Sequence, residues 1–131
     1  MEKRLVKKDA LAGVAKKMAD DFLVWAPVKK EDNILFEPLQ KGEEPFLAYL
    51  NSKNAPKNVF FPHTEALMKF TRTEKGMVFS SDENKADQSV LFGVRPCDAH
   101  SFALLDKLFD QEKYKDGYYI AKRQNLSLIH I

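Results

Sequence analysis

A chain of 131 residues, 44% hydrophobic and 31% charged, has enough apolar material for one domain with one modest core and is not a disordered composition. The net charge of +2 is too small to point to nucleic acid or to an anionic membrane as a partner, and the paired lysines Lys7–Lys8, Lys16–Lys17 and Lys29–Lys30 alternate with acids as a solvated surface does. One cysteine excludes an internal disulfide and fits a reducing compartment. No run approaches a membrane span, and the charged start MEKRLVKKDALAG lacks the apolar core of a signal peptide, so a cytoplasmic location is expected.

In chain order, residues 4 to 6 (RLV) read as a short strand, and Asp9 as the N-cap of a helix. Leu11, Val14, Ala15, Met18 and Phe22 form its apolar stripe, which is expected to pack into the core. The helix should end before Pro27, because the residue ahead of a proline is pushed out of helical geometry. Residues 23 to 39 predict two strands around a polar turn at Lys30 to Asn33. A short helix is expected over Pro45 to Leu50, with Pro45 in the first helical position. Residues 59 to 79 read as extended segments and turns, with Gly76 marking a turn, and residues 80 to 88 as a surface loop. Ser89 to Val94 is an unbroken apolar run, the pattern of a strand covered on both faces. Phe102, Leu105, Leu108 and Phe109 then share a helical stripe, residues 118 to 125 suit another helix, and Leu126 to Ile131 another strand. Strand, helix and strand over 89–131 predict a parallel crossover. The expected fold class is therefore α/β: a small, partly parallel sheet with an N-terminal amphipathic helix and hairpins, as part of an incomplete domain.

Residues 91 to 102, LFGVRPCDAHSF, place the chain's cysteine at a strand-to-helix turn. In α/β sheets ligands gather beyond the carboxyl ends of strands, near helix N-termini. Arg95 offers a guanidinium fork suited to phosphate or carboxylate, and Pro96 stiffens the turn. Cys97 falls at or near the first helical turn, where the helix end and Arg95 favour thiolate. Asp98 opposes that shift and is a good N-cap, with Ser101 three positions on. Arg95, Pro96, Cys97 and Asp98 are the candidate functional turn. The plain alternative is that Cys97 is a small packing residue and Asp98 only a cap.

Other constellations are weaker. Cys97-x-x-His100 has metal-ligand spacing, but a structural zinc needs about four ligands; His63 and His130 are the only other imidazoles. The chain contains no C-x-x-C-x-x-C series, no glycine-rich phosphate loop and no spacing that reads as a Ser/His/Asp triad.

VLFGVRPCDAHSFALLDKLF, together with VWAPVKK (24–30), NVFFPHTEALMKF (58–70) and YYIAKRQN (118–125), resembles a known family over about residues 3 to 126. The chain is similar to the N-terminal part of the iron–sulfur beta subunits of cytosolic sulfhydrogenases and of the related iron–sulfur subunit of anaerobic sulfite reductase. That resemblance implies an electron-relay subunit working between a flavin-containing partner and a catalytic subunit. It also implies 4Fe–4S clusters held by cysteine runs further along the intact protein. None of those runs is in this sequence, so no cofactor is expected in this stretch itself, no catalytic residue is assigned, and Cys97 is a possible metal ligand only in the full-length protein.

After residue 125 the sequence departs from the family, which continues with an apolar strand, a glycine and further cysteines. LSLIHI resembles translated adapter sequence, so residues 1–125 are expected to be the N-terminal domain and 126–131 a non-native tail. Two other functions remain open from the residues: a stand-alone module binding an anion or nucleotide at the Arg95–Asp98 turn, motivated by the arginine beside a helix N-terminus, and a purely structural interaction domain.

Overall fold

The computed structural model describes residues 6–81 and 86–130. Helix α1 (Leu11–Asp21) leads into β1 (Leu23–Lys30) and β2 (Asn33–Pro38). A long strap and a 3₁₀ turn at Pro56–Val59 precede the hairpin β3 (Lys69–Thr73) and β4 (Gly76–Ser80). The chain then forms β5 (Ser89–Val94), α2 (Pro96–Phe109), α3 (Gly117–Gln124) and β6 (Leu126–His130). The main sheet has the order β2-β1-β5-β6. β1 and β2 are antiparallel, whereas β5 runs parallel to both β1 and β6. The expected α/β class, the β1–β2 hairpin and the parallel strand-helix-strand unit are all present.

Helices cover both faces of the sheet. On one face Ala15 and Ala19 of α1 pack with Val24, Ala26, Val28, Val90 and Phe92. Two small residues one turn apart let α1 approach the sheet closely. On the other face Phe102 and Tyr119, from α2 and α3, pack with Leu91, Val94, Phe36 and Phe60. The Phe60 ring meets Phe102 edge-on at 4.9 Å and Tyr119 at 5.7 Å, which docks the 59–61 segment onto both helices. Alternation in β5 sends Val90 and Phe92 to one core and Leu91 and Val94 to the other. This double coverage explains its uninterrupted apolar sequence.

Several local expectations are corrected. Asp9 does not cap α1: it lies in a 3₁₀ turn over Lys8–Ala10, and Ala10, already helical, is the N-cap with no side-chain bond. The 3₁₀ turn feeds directly into the helix. Of the expected stripe, Val14 and Phe22 are exposed; Phe22 has extended backbone and lies beyond the last turn. Leu108 is exposed on α2. Pro45 to Leu50 is not a helix. Its backbone is engaged elsewhere: Phe46 N–H donates to Pro27 O at 2.7 Å, and the Tyr49 and Leu50 carbonyls accept from Arg95. Of the strand expected at residues 4 to 6, Arg4 and Leu5 lie outside the described residues and Val6 is not in a strand. Part of the loop at 80 to 88 likewise lies outside them, and Ser80 is the last residue of β4.

Pro27 sits inside β1, a central strand, and sets the shape of the sheet's far end. Its ring replaces the N–H that a neighbouring strand would use. Pairing of β1 with β5 stops at Trp25–Leu91. Across the gap lies Gly93, at φ +77°, where the β5–β6 register shifts between Phe92 and Val94. A Cβ on Gly93 would stand 3.0 Å from Leu47 Cδ2 and 3.3 Å from Pro27 Cδ. Both the backbone angle and the tight space therefore favour glycine. Gly93→Ala should lower unfolding free energy by about 2 kcal/mol or more, measured by urea denaturation, with an unchanged denaturant slope.

Candidate functional site

The RPCD turn begins where β5 swings away from β1. Tyr49 Oη donates to Gly93 O at 2.8 Å, fixing the bulged carbonyl. Arg95 follows in extended geometry as the N-cap of α2, and Pro96 is the first helical residue. This corrects the expected cap at Asp98. Proline at the first position carries no N–H to be satisfied and has its φ preset for the helix, so the helix starts earlier. Asp98 lies in the first turn and makes no side-chain cap; Ser101 Oγ donates to its carbonyl at 2.7 Å.

Arg95 turns back over the sheet end rather than out to solvent. Its Nη1 donates to Tyr49 O at 2.8 Å and to Leu50 O at 2.7 Å, and its guanidinium lies 5.8 Å from the Tyr49 ring centroid. One arginine thus ties the strap to the start of α2, and a cation bonded to two carbonyls holds more firmly than a neutral donor would. Burial raises the Asp98 carboxyl above its usual range, and the nearby Arg95 charge opposes that rise. Burial also pushes the Tyr49 phenol up to about 12, with Asp98 adding to the rise and Arg95 opposing it.

Arg95 and Asp98 are therefore gathered around Tyr49, while Pro96 and Cys97 face outward and Cys97 is a free, exposed thiol. His100 is also exposed. Among the described residues no three His, Cys, Asp or Glu side chains are grouped to hold a metal ion. Beside Arg95, an open cleft of about 410 Å³ is walled by Leu11, Leu47, Phe92 and Ile129, with Lys8 and His130 at its polar edge.

Two features of the site have no signal in the sequence pattern. Tyr49 falls in the segment whose pattern predicts a helix, and nothing in its spacing links it to Arg95, 46 residues away. The second is a polar junction behind the turn. The Asp106 carboxylate of α2 accepts from Tyr119 Oη at 2.6 Å and from Arg123 Nε and Nη2 at 2.9 and 3.0 Å. Burial, followed by this hydrogen bond, drives the Tyr119 phenol well above its ordinary value. Asp116 caps α3 by accepting from Tyr119 N–H at 2.9 Å. The turn is thus braced on both sides, by the strap in front and by α3 behind.

Arg95→Ala should cost about 2 kcal/mol and Tyr49→Phe about 1 kcal/mol in urea unfolding. The Tyr49 phenol also gives a pH signature. Its folded value of about 12 lies above the ordinary 10.0, so the fold favours the protonated phenol. That stabilisation is complete below pH 10 and is lost as pH rises from 10 toward 12. Stability measured across this alkaline window should fall less steeply in Tyr49→Phe than in the parent.

No family model matches the chain, and no solved structure matches it. The chain is 29% identical over 108 residues to the Sulfhydrogenase 2 subunit beta of Pyrococcus furiosus. The match covers 82% of this chain and 30% of that protein, so the chain spans less than a third of the length of the curated relative it matches.

Proposed function

We propose that this chain is the N-terminal part of an iron–sulfur electron-transfer subunit of a hydrogenase-type or sulfite-reductase-type complex. In the intact protein the subunit relays electrons in the cytoplasm between a flavin-containing partner and a catalytic subunit. The observation that carries the reading is the similarity to a sulfhydrogenase beta subunit over 82% of the chain. The stretch that most resembles that family, RPCD, is also where the structure concentrates its polar bracing. In this reading the domain does no chemistry itself. Its braced turn presents Pro96 and Cys97 at a fixed place on the surface, for a partner or for the rest of the polypeptide.

The residues present do not fit an iron–sulfur cluster. Such a cluster is typically held by four thiolates, and Cys97 is the only cysteine. The clusters of the proposed subunit therefore belong to cysteine runs beyond this stretch. Residues 1–125 form the N-terminal domain in this reading, and 126–131 a non-native tail. The family's own apolar strand would then take the place β6 holds beside β5.

Two measurements test the proposal. Sequencing the locus beyond codon 125 should reveal an open frame with C-x-x-C-x-x-C-x-x-x-C-P runs; an authentic stop after LSLIHI would refute it. Anaerobic iron–sulfide reconstitution of the present 131-residue chain should leave a colourless monomer without stoichiometric iron. A brown monomer with about four irons per chain would overturn the ligand count.

A further inference from the structure

The open cleft beside Arg95 lies at the carboxyl ends of the two parallel strands β5 and β6, on the face of the sheet that α1 covers. Open α/β sheets place their ligands beyond these strand ends. The floor of the cleft is Phe92, which is buried in the core beneath α1. Its walls are Leu11, Leu47 and Ile129, each packed against that same core but only partly buried. A volume of about 410 Å³ lies within the range of small-molecule sites, and an apolar lining with a few polar groups is their usual makeup.

The polar groups here are all basic. Lys8, Arg95 and His130 line the cleft, and no carboxylate does. Among the described residues none of these three is in an ion pair, whereas Lys16, Lys30, Lys115, Lys122 and Arg123 each have a carboxylate partner. Arg95 uses only Nη1 to hold the strap; its Nε and Nη2 have no acceptor among the described residues. Asp98, whose carboxyl feels the Arg95 charge, does not line the cleft. A half-used guanidinium fork beside an apolar trough is complementary to a carboxylate on an apolar chain.

We infer that the cleft is a binding site for a monocarboxylate with an apolar body, of the medium-chain fatty-acid class. Arg95 and Lys8 take the head group, and the chain lies along Leu11, Leu47 and Phe92. A nucleotide suits the cleft less well, because its polar groups would lose water against these walls without gaining hydrogen bonds. Ile129 and His130 belong to the stretch read above as a tail, so His130 is given no part in holding the head group. An apolar strand of the family in the place of β6 keeps that wall apolar. The inference uses neither Cys97 nor the relative, so it is tested apart from the electron-transfer reading.

Titration of the isotope-labelled 131-residue chain with sodium octanoate, followed by amide NMR shifts, tests it. The expected result is saturable one-to-one binding with shifts centred on Leu11, Leu47 and Arg95. Affinity should rise by about two- to fourfold per methylene from butanoate to octanoate. Octylammonium, with the opposite charge, and inorganic phosphate, with no chain, should not saturate these shifts. Leu11→Glu and Arg95→Gln should each weaken octanoate binding by about tenfold or more, and Lys8→Glu by about threefold or more. His130→Ala should leave it within about twofold, and so should Lys107→Glu, which makes the same change of charge as Lys8→Glu but on α2, across the sheet. The dispersion of the amide spectrum checks that each variant remains folded. Absence of saturable octanoate binding overturns the proposal. So does equal binding of octylammonium or phosphate, or octanoate binding indifferent to Leu11→Glu and Arg95→Gln.

Discussion

The architecture of the candidate site depends on a proline in the middle of a central strand. Pro27 cannot donate to the sheet ladder, so β5 cannot stay paired with β1 past Leu91. The chain answers with a left-handed glycine at 93, which fits against the Pro27 ring and Leu47 where any side chain would crowd both. The bulge leaves the Gly93 carbonyl without its ladder position, and Tyr49 from the strap takes it. Arg95 then secures the strap through two further carbonyls, and Pro96 starts α2. Each step creates the backbone group that the next one satisfies, as buried polar groups require.

This chain of causes separates two kinds of residue in RPCD. Arg95 and Pro96 act on the fold, one as a clamp and the other as a helix start. Cys97 lies exposed in the first turn of α2 and has no such duty. A guanidinium already bonded to two carbonyls acts first as a bracket, with its charge still felt by Asp98 and Tyr49. Behind the turn the Asp106, Tyr119 and Arg123 junction locks α2 to α3. A surface thiol on so firmly held a turn has a defined position.

Legibility in the sequence follows the range of each interaction. Period and composition are sufficient for the β1–β2 hairpin, for β5 as a doubly covered strand, and for the crossover through α2 and α3 to β6, because each is written in local hydrophobic pattern. The expected caps give way where a stronger local rule prevails: Pro96 at the first helical position displaces Asp98, and a 3₁₀ lead-in displaces Asp9. The strap departs from its pattern for a different reason. Pro45 has the look of a helix start, but the segment's backbone bonds go to Pro27 and Arg95, partners 19 or more residues away. Pairings such as Tyr49 with Gly93, or Asp106 with Arg123, carry no periodic signature at all. Asn54, whose side chain meets both backbone groups of Phe36 at 2.7 and 2.8 Å, is invisible for the same reason.

The most direct test of this account is a double-mutant cycle between Tyr49→Phe and Arg95→Ala, followed by equilibrium urea unfolding. If the two bonds hold the strap at Tyr49 as one bracket, loss of either loosens the other, and the two effects should couple by about 1 kcal/mol or more. Additive effects, within about 0.3 kcal/mol, would mean that the two bonds act independently and that the turn is not braced as a unit.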